Sequence, residues 1–194
     1  NALDETAVAR VFAAKERPAD HPLIVHVASS SDVSEWITEL PQWAIDLTNA
    51  VWPGPLTIVG PRTKLASNSV TGNQDTVAVR VPSHPIAQDL LHQLKAQGVK
   101  GLVAPSANRF GHVSPTSAAH VAADLGEYLI KYGDLILDGG DCQVGVESTI
   151  VLATGSQPVI LRPGAITAAD IQRITGVDVS EATTDAPRVS GALD

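Results

Sequence analysis

The clearest periodicity in the chain is TVAVRV (76–81), where Val77, Val79 and Val81 fall on one side of an alternating run and Thr76, Ala78 and Arg80 on the other. A half-buried strand is predicted, with an arginine near the end of its polar face. Further apolar runs of strand length are LIVHV (23–27), LTIVG (56–60), GLVAPS (101–106), DLILD (134–138), VESTIVL (146–152) and PVILR (158–162). Helical patterns lie between them. Asp4 caps a segment that carries Ala7, Val8, Val11 and Phe12 on one face and runs to Lys15. PQWAIDLTNAVW (41–52) starts on Pro41 and is stopped by Pro53–Gly54–Pro55, and HPIAQDLLHQLKAQG (84–98) has Pro85 at its first turn and Gly98 beyond its end. Ser114 and Pro115 are read as N-cap and first residue of TSAAHVAADLG, closed by Gly126, and Thr167 with Asp170 as a capping box for AADIQRI. These roughly seven strands and five helices in alternation predict an open, twisted, mixed α/β sheet with flanking helices, one domain over residues 1–178. Residues 179–194, ending SEATTDAPRVSGALD, show no periodicity and are read as a linker or tail.

Composition narrows the class. Hydrophobic residues make up 44% of the chain and aromatic ones only 4%, so a sizeable core is expected, built mainly from Val, Leu, Ile and Ala. No window approaches the ~18 uninterrupted apolar residues of a membrane helix, and no membrane partner is expected. A single cysteine, Cys142, excludes an internal disulfide framework; with no secretory signal or presequence visible at the start, the expected location is cytoplasmic. The net charge of −8 opposes broad binding to phosphate backbones, so no stable nucleic-acid binding is expected. The chain has no Met and opens at Asn1 directly before a helix, which reads as an internal stretch of a longer protein.

The familiar nucleotide loops G-x-x-x-x-G-K-[ST] and G-x-G-x-x-G are missing, as is a G-x-S-x-G nucleophile elbow. The six histidines (His21, His26, His84, His92, His112 and His120) lack zinc-site spacing and cysteine partners, so no metal site from protein side chains is predicted. Four places stand out because polar residues fall at the ends of apolar elements, where open α/β sheets bind ligands. They are KER (15–17), Arg80, VAPSAN (103–108) with Ser106 and Asn108, and VILRPG (159–164) with Arg162. Each has a plainer reading. Lys15 and Arg17 could complement a helix dipole, Ser106 and Asn108 could shape a turn, and Arg162 could be a surface residue. Taken together, Lys15, Arg17, Arg80 and Arg162 are four of only 13 basic residues in an acidic chain, and a common cleft that collects them would be an anion site.

The stretches KERPADHPLIVHV, WPGPLT, TVAVRVPSHP, APSANRFGHVSPTSAAHV, LILDGG, VESTIV and ILRPGAI resemble, in order and approximate spacing over residues 4–174, the motifs of the Sua5/YrdC/YciO family of threonylcarbamoyl-AMP synthases. The tail APRVSGALD is similar to the start of the linker in long, Sua5-type members, which carry a second small domain. The resemblance implies a YrdC-like fold and a nucleotidyltransferase that makes threonylcarbamoyl-AMP and pyrophosphate from L-threonine, bicarbonate and ATP. It implies Mg²⁺ accompanying ATP, and a downstream machinery that transfers threonylcarbamoyl to adenosine in tRNA. It places Lys15 and Arg17 on the ATP phosphates as the catalytic pair. Thr76, Ser106, Asn108, Ser114 and Arg162 fall around the nucleotide, and His26, Arg80, Ala104 (through its backbone) and Ser148 around threonine and the carbamate. The start of the Ser114 helix would add backbone N–H donors. Two departures are visible: the family's P-T-E-T-x-Y-G-L segment lies upstream of Asn1, and Glu16 stands in K-x-R where glycine is frequent. The alternatives are a tRNA or double-stranded RNA-binding module of the same fold, and a carbamoyl-transfer enzyme related to hydrogenase-maturation proteins.

Overall fold

Asp4 opens the fold as a cap: its carboxylate accepts from the backbone N–H groups of Thr6 and Ala7, and helix α1 (Glu5–Lys15) follows. In this computed structural model, which describes residues 1–142 and 145–191, α1 leads to β1 (Ile24–His26), a 3₁₀ turn (Ser30–Glu35), α2 (Gln42–Val51), β2 (Leu56–Pro61) and α3 (Asn68–Thr71). Then come β3 (Thr76–Arg80), α4 (Pro85–Ala96), β4 (Leu102–Val103), α5 (Ala118–Tyr132), β5 (Thr149–Leu152), β6 (Val159–Arg162), α6 (Ala168–Thr175) and β7 (Ser180–Glu181).

The strands form one mixed sheet in the order β4-β1-β3-β2-β5-β6-β7. β1 and β3 run parallel, as do β2 and β5 and also β6 and β7; β4 with β1, β2 with β3 and β5 with β6 are antiparallel. The register matters for function. His26 pairs with Arg80, Arg80 with Thr57, Thr57 with Ile150 and Ile150 with Arg162, so one row across five strands brings His26, Arg80, Thr57 and Arg162 together.

The two faces of the sheet are covered differently. Val77, Val79 and Val81 turn toward the larger core, where they join Val8 and Phe12 of α1, Trp43 and Leu47 of α2 and Ile171 of α6. Each fully buried Val, Leu or Ile there contributes roughly 1.5–3 kcal/mol. On the opposite face Ile24, Val59, Ala78 and Ile150 form a smaller apolar floor, capped by Val189 from the C-terminal stretch. That floor ends at the polar row.

Most elements lie where the pattern predicts, and the exceptions have physical reasons. α5 begins at Ala118 rather than after Ser114, because Ser117 is the cap, with its hydroxyl accepting from the His120 N–H at 3.3 Å. It runs through Gly126 to a left-handed Gly133, since one interior glycine costs only about 1 kcal/mol and the apolar stripe continues. DLILD is not a strand: 134–138 is irregular and Leu135 is 93% exposed. The seventh strand is instead Ser180–Glu181, inside the stretch read as a tail, where it satisfies the open edge of β6. The 3₁₀ turn and the four-residue α3 add to the five expected helices.

Candidate active site

The site is built from turns at the ends of these elements. α1 stops at Glu16, whose φ of 53° is left-handed, the position where glycine is least strained. That reversal lets the residues on either side both turn inward: Lys15 is 4% exposed and Arg17 8%. The Lys15 ammonium donates to the backbone carbonyls of Ser106 and Asn108, pinning the Ser-Ala-Asn bend to α1. Burial, and then the neighbouring Arg17 charge, lower its pKa from 10.5 to about 8. The bend is fixed from its other side as well. Asp124 of α5 accepts from the Arg109 N–H at 2.7 Å and lies 2.8 Å from His112 Nδ1, while the Asn108 amide donates to the His112 carbonyl at 2.7 Å.

Above the bend, strand ends enclose a mouth of about 230 Å³. Seven of the eleven residues singled out from the sequence line it: His26, Arg80, Ala104, Ser106, Ser114, Ser148 and Arg162. Lys15 and Asn108 lie directly behind the Ser106 wall, with the Asn108 amide engaged in closing its own turn. Arg17 joins the mouth through Ser190, whose hydroxyl accepts from Arg17 Nη2 at 3.4 Å and whose carbonyl accepts from Arg162 Nη1 at 2.6 Å. Thr76 does not line the mouth. It sits at the far end of β3 beside a separate hollow with Asp75, Glu181 and Thr183, divided from Arg80 by the floor that Val189 covers. Ser114 supplies a hydroxyl and not the start of a helix, correcting the expectation of helix N–H donors there.

The electrostatics are those of a basket awaiting an anion. Arg162 is held by Ser148, which accepts through its carbonyl at 2.8 Å and 3.1 Å and through its hydroxyl at 3.0 Å; that hydroxyl in turn contacts Thr57 Oγ1 at 2.8 Å. Arg80 donates from Nε to the Gly54 carbonyl at 3.1 Å; among the described residues its terminal nitrogens have no acceptor. Burial, and after it the Arg162 charge, lower the Arg80 pKa, and burial likewise lowers those of Arg17 and Arg162; guanidinium remains charged at neutral pH. Arg17 Nε is buried without a partner, and its guanidinium stacks on Phe110 at 5.6 Å. Behind Ser148 the Arg-Pro-Gly turn packs so tightly that a Cβ on Gly164 would lie 2.4 Å from the Thr149 nitrogen.

Several contributors escaped sequence reasoning. Glu147, Ser190, Thr57 and the Gly54 carbonyl all touch the predicted residues. Glu147 and Gly54 stand inside quoted motifs, VESTIV and WPGPLT, so the signal was available; Ser190 lay in a segment with no pattern to mark it.

His26 gives this geometry a pH signature. Burial, followed by the Arg80 charge, pushes its pKa from 6.5 down to about 4, so the imidazole is neutral at pH 7. Between those two values the unfolded chain binds the proton and the folded chain does not, so stability falls as the pH is lowered through that window. Replacing His26 by Gln is expected to flatten the wild-type loss of melting temperature between pH 6.5 and 4, as followed by intrinsic fluorescence. Parallel curves for the two proteins would show that His26 is not desolvated in this way.

An open α/β sheet whose strand ends gather arginines around a small mouth has the architecture in which such sheets receive anionic small molecules. The family model Sua5/YciO/YrdC, described as "Telomere recombination", matches residues 1–164, and the chain belongs to this family. It is 46% identical over 178 residues to the threonylcarbamoyl-AMP synthase of Pyrococcus abyssi, a match covering 91% of this chain and 49% of that protein. The Bacillus subtilis threonylcarbamoyl-AMP synthase is 41% identical over 177 residues, again 91% of this chain and 49% of that protein. Among solved structures, P. abyssi Sua5 complexed with L-threonine superposes with a TM-score of 0.85 at 40% identity, covering 100% of this chain and 56% of that one. The chain thus spans about half the length of these relatives. Among the described residues no helix is long and apolar enough to cross a membrane.

Proposed function

We propose that the protein of which this chain is part is an L-threonylcarbamoyladenylate synthase, a nucleotidyltransferase that joins L-threonine, bicarbonate and ATP. The observation that carries the reading is that Arg80 and Arg162 both line one mouth, with Arg17 tied to it through Ser190, and that the terminal nitrogens of Arg80 find no protein acceptor among the described residues. A carboxylate and a phosphate chain would satisfy such cationic donors.

Bicarbonate takes up a proton and gives CO₂ and water, and the neutral amino group of threonine adds to the CO₂ and loses a proton, so the carbamate forms with one water released overall. A carbamate oxygen then attacks the α-phosphorus of ATP, the bond from that phosphorus to the bridging oxygen breaks, and pyrophosphate leaves with the electron pair. Both reactants are anions, so the contribution of the site is to offset their repulsion and hold them in line. Arg80, beside neutral His26 and Ala104, is assigned to the threonine carboxylate as a bidentate partner. Ser148 is assigned to the carbamate. Arg162 and Arg17 are assigned to the phosphates, with Ser106 and Ser114 beside the nucleotide; Lys15 and Asn108 act by shaping the bend that presents Ser106. Thr76 lies outside this mouth, beside the separate hollow.

Mg²⁺ enters as part of the substrate, bound to ATP phosphates, and would offset their charge. Among the described residues no three His, Cys, Asp or Glu side chains cluster as a metal site. A product destined for the tRNA threonylcarbamoyl-transfer machinery supports a cytoplasmic setting. The full-length protein is expected to release pyrophosphate only when ATP, L-threonine and bicarbonate are all supplied. Release at an equal rate without threonine would overturn the proposal.

A further inference from the structure

Glu147 is the only carboxylate among the described residues that line the mouth. Both of its oxygens are engaged: Ser114 Oγ donates to Oε1 at 3.0 Å, and Arg162 Nη1 donates to Oε2. Both donors belong to the set that an incoming anion would use. The carboxylate is not locked into the core, because its side chain is 38% exposed and the backbone around it, 145–148, is irregular and leads into β5. Gly191 closes over the pair, since a Cβ there would lie 2.7 Å from Glu147 Oε2 and 2.8 Å from Arg162 Nη1. Its charge is also felt by Lys15, Arg17, Arg80 and Arg162 alike, each of which it helps keep protonated.

We propose that Glu147 is an internal stand-in for the ligand's phosphate: a carboxylate that neutralises the cationic mouth while it is empty and is displaced when a phosphate chain binds Arg162 and Ser114. This deepens the anion-site reading and rests on it. A phosphate oxygen and a carboxylate cannot share the same guanidinium edge and hydroxyl without two negative charges in contact. One must leave, and Glu147 is the partner with solvent behind it. The stand-in explains how several desolvated cations tolerate one another before substrate arrives. It also sets a discrimination, because only a ligand bringing more charge than one carboxylate gains by the exchange. Glu147 is a positioning residue here, setting the resting arrangement of Arg162 and Ser114.

The test is calorimetric titration of inorganic pyrophosphate into full-length wild-type protein and its Glu147→Gln variant, with apo melting temperatures measured alongside. Removing the competitor is expected to tighten pyrophosphate binding about tenfold, the size of one charge-assisted contact no longer broken on binding. The same variant is expected to melt lower without ligand, because its cations have lost their counter-ion. Opposite signs are the signature, for a purely structural clamp would lower both. Weaker or unchanged pyrophosphate binding in Glu147→Gln would overturn the stand-in while leaving the anion site intact. A wild-type protein that binds no pyrophosphate would overturn the anion site, and the stand-in with it. Should Glu147→Gln fail to fold, Glu147→Asp, too short to reach Arg162 and Ser114 together, carries the same expectation at about threefold.

Discussion

Replacing Arg162 by methionine is expected to lower unfolding free energy by about 2–4 kcal/mol and to reduce pyrophosphate release at least about a hundredfold. Methionine keeps much of the length and apolar bulk of the side chain, so little of the loss comes from an empty volume. What disappears is a guanidinium that serves four acceptors at once. The Ser148 carbonyl and hydroxyl, the Ser190 carbonyl and the Glu147 carboxylate would each lose a donor. The Ser148 and Ser190 acceptors are buried and incur the larger cost; the half-exposed Glu147 recovers water and adds little. Ser190 would also lose its tie to β6, so the cover over the apolar floor loosens and the mouth loses its shape. Urea unfolding reads the first effect. A variant that unfolds at the wild-type midpoint would show that the network around Ser148 contributes nothing.

The second large effect separates binding from stability. Arg80→Ala is expected to weaken L-threonine binding about a hundredfold while changing ATP binding less than about threefold. The protein should melt at or above the wild-type temperature. The sign follows from the environment: burial and the neighbouring Arg162 charge both oppose the Arg80 cation, and its one hydrogen bond to the protein among the described residues is to the Gly54 carbonyl. Arginine at this place is a cost to folding that the proposed threonine carboxylate would offset, the opposite of Arg162. Calorimetry with each ligand decides it, and an equal loss for ATP and threonine would remove the division of labour proposed for the two arginines.

The two arginines also mark how far the sequence could be read. Arg80 is conspicuous because strict alternation puts it on the polar face of a valine strand; the valines do turn to the larger core, but Ala78 on the Arg80 face is buried as well, beneath Val189. Arg162 was legible only as the end of an apolar run, and nothing local foretold that Ser190 would complete its shell. Helix starts with a single good cap, Asp4 and Thr167, fell where expected. α5 did not: Ser114-Pro115 and Ser117 both satisfy the capping rule, the helix takes Ser117, and the Ser114 hydroxyl donates to Glu147 instead. DLILD has the apolar content of a strand but gains no pairing in the described structure, whereas Ser180–Glu181 has none of that content and pairs with β6. A short edge strand is set by an available neighbour more than by its own residues. Lys15 shows the same limit at the site. The K-x-R pattern pointed to two cations facing one ligand, and the left-handed Glu16 between them instead lets Lys15 brace the bend while Arg17 faces Ser190.

The proposed synthase brings an amino acid, a one-carbon anion and a nucleotide into line at one mouth. The most direct measurement supplies the full-length protein with ¹⁴C-bicarbonate, L-threonine and ATP and follows labelled nucleotide and pyrophosphate together. Label is expected in a species containing both threonine and AMP, in one-to-one proportion with pyrophosphate and absent when threonine is withheld. Pyrophosphate appearing with no carbon carried into the nucleotide product would contradict it.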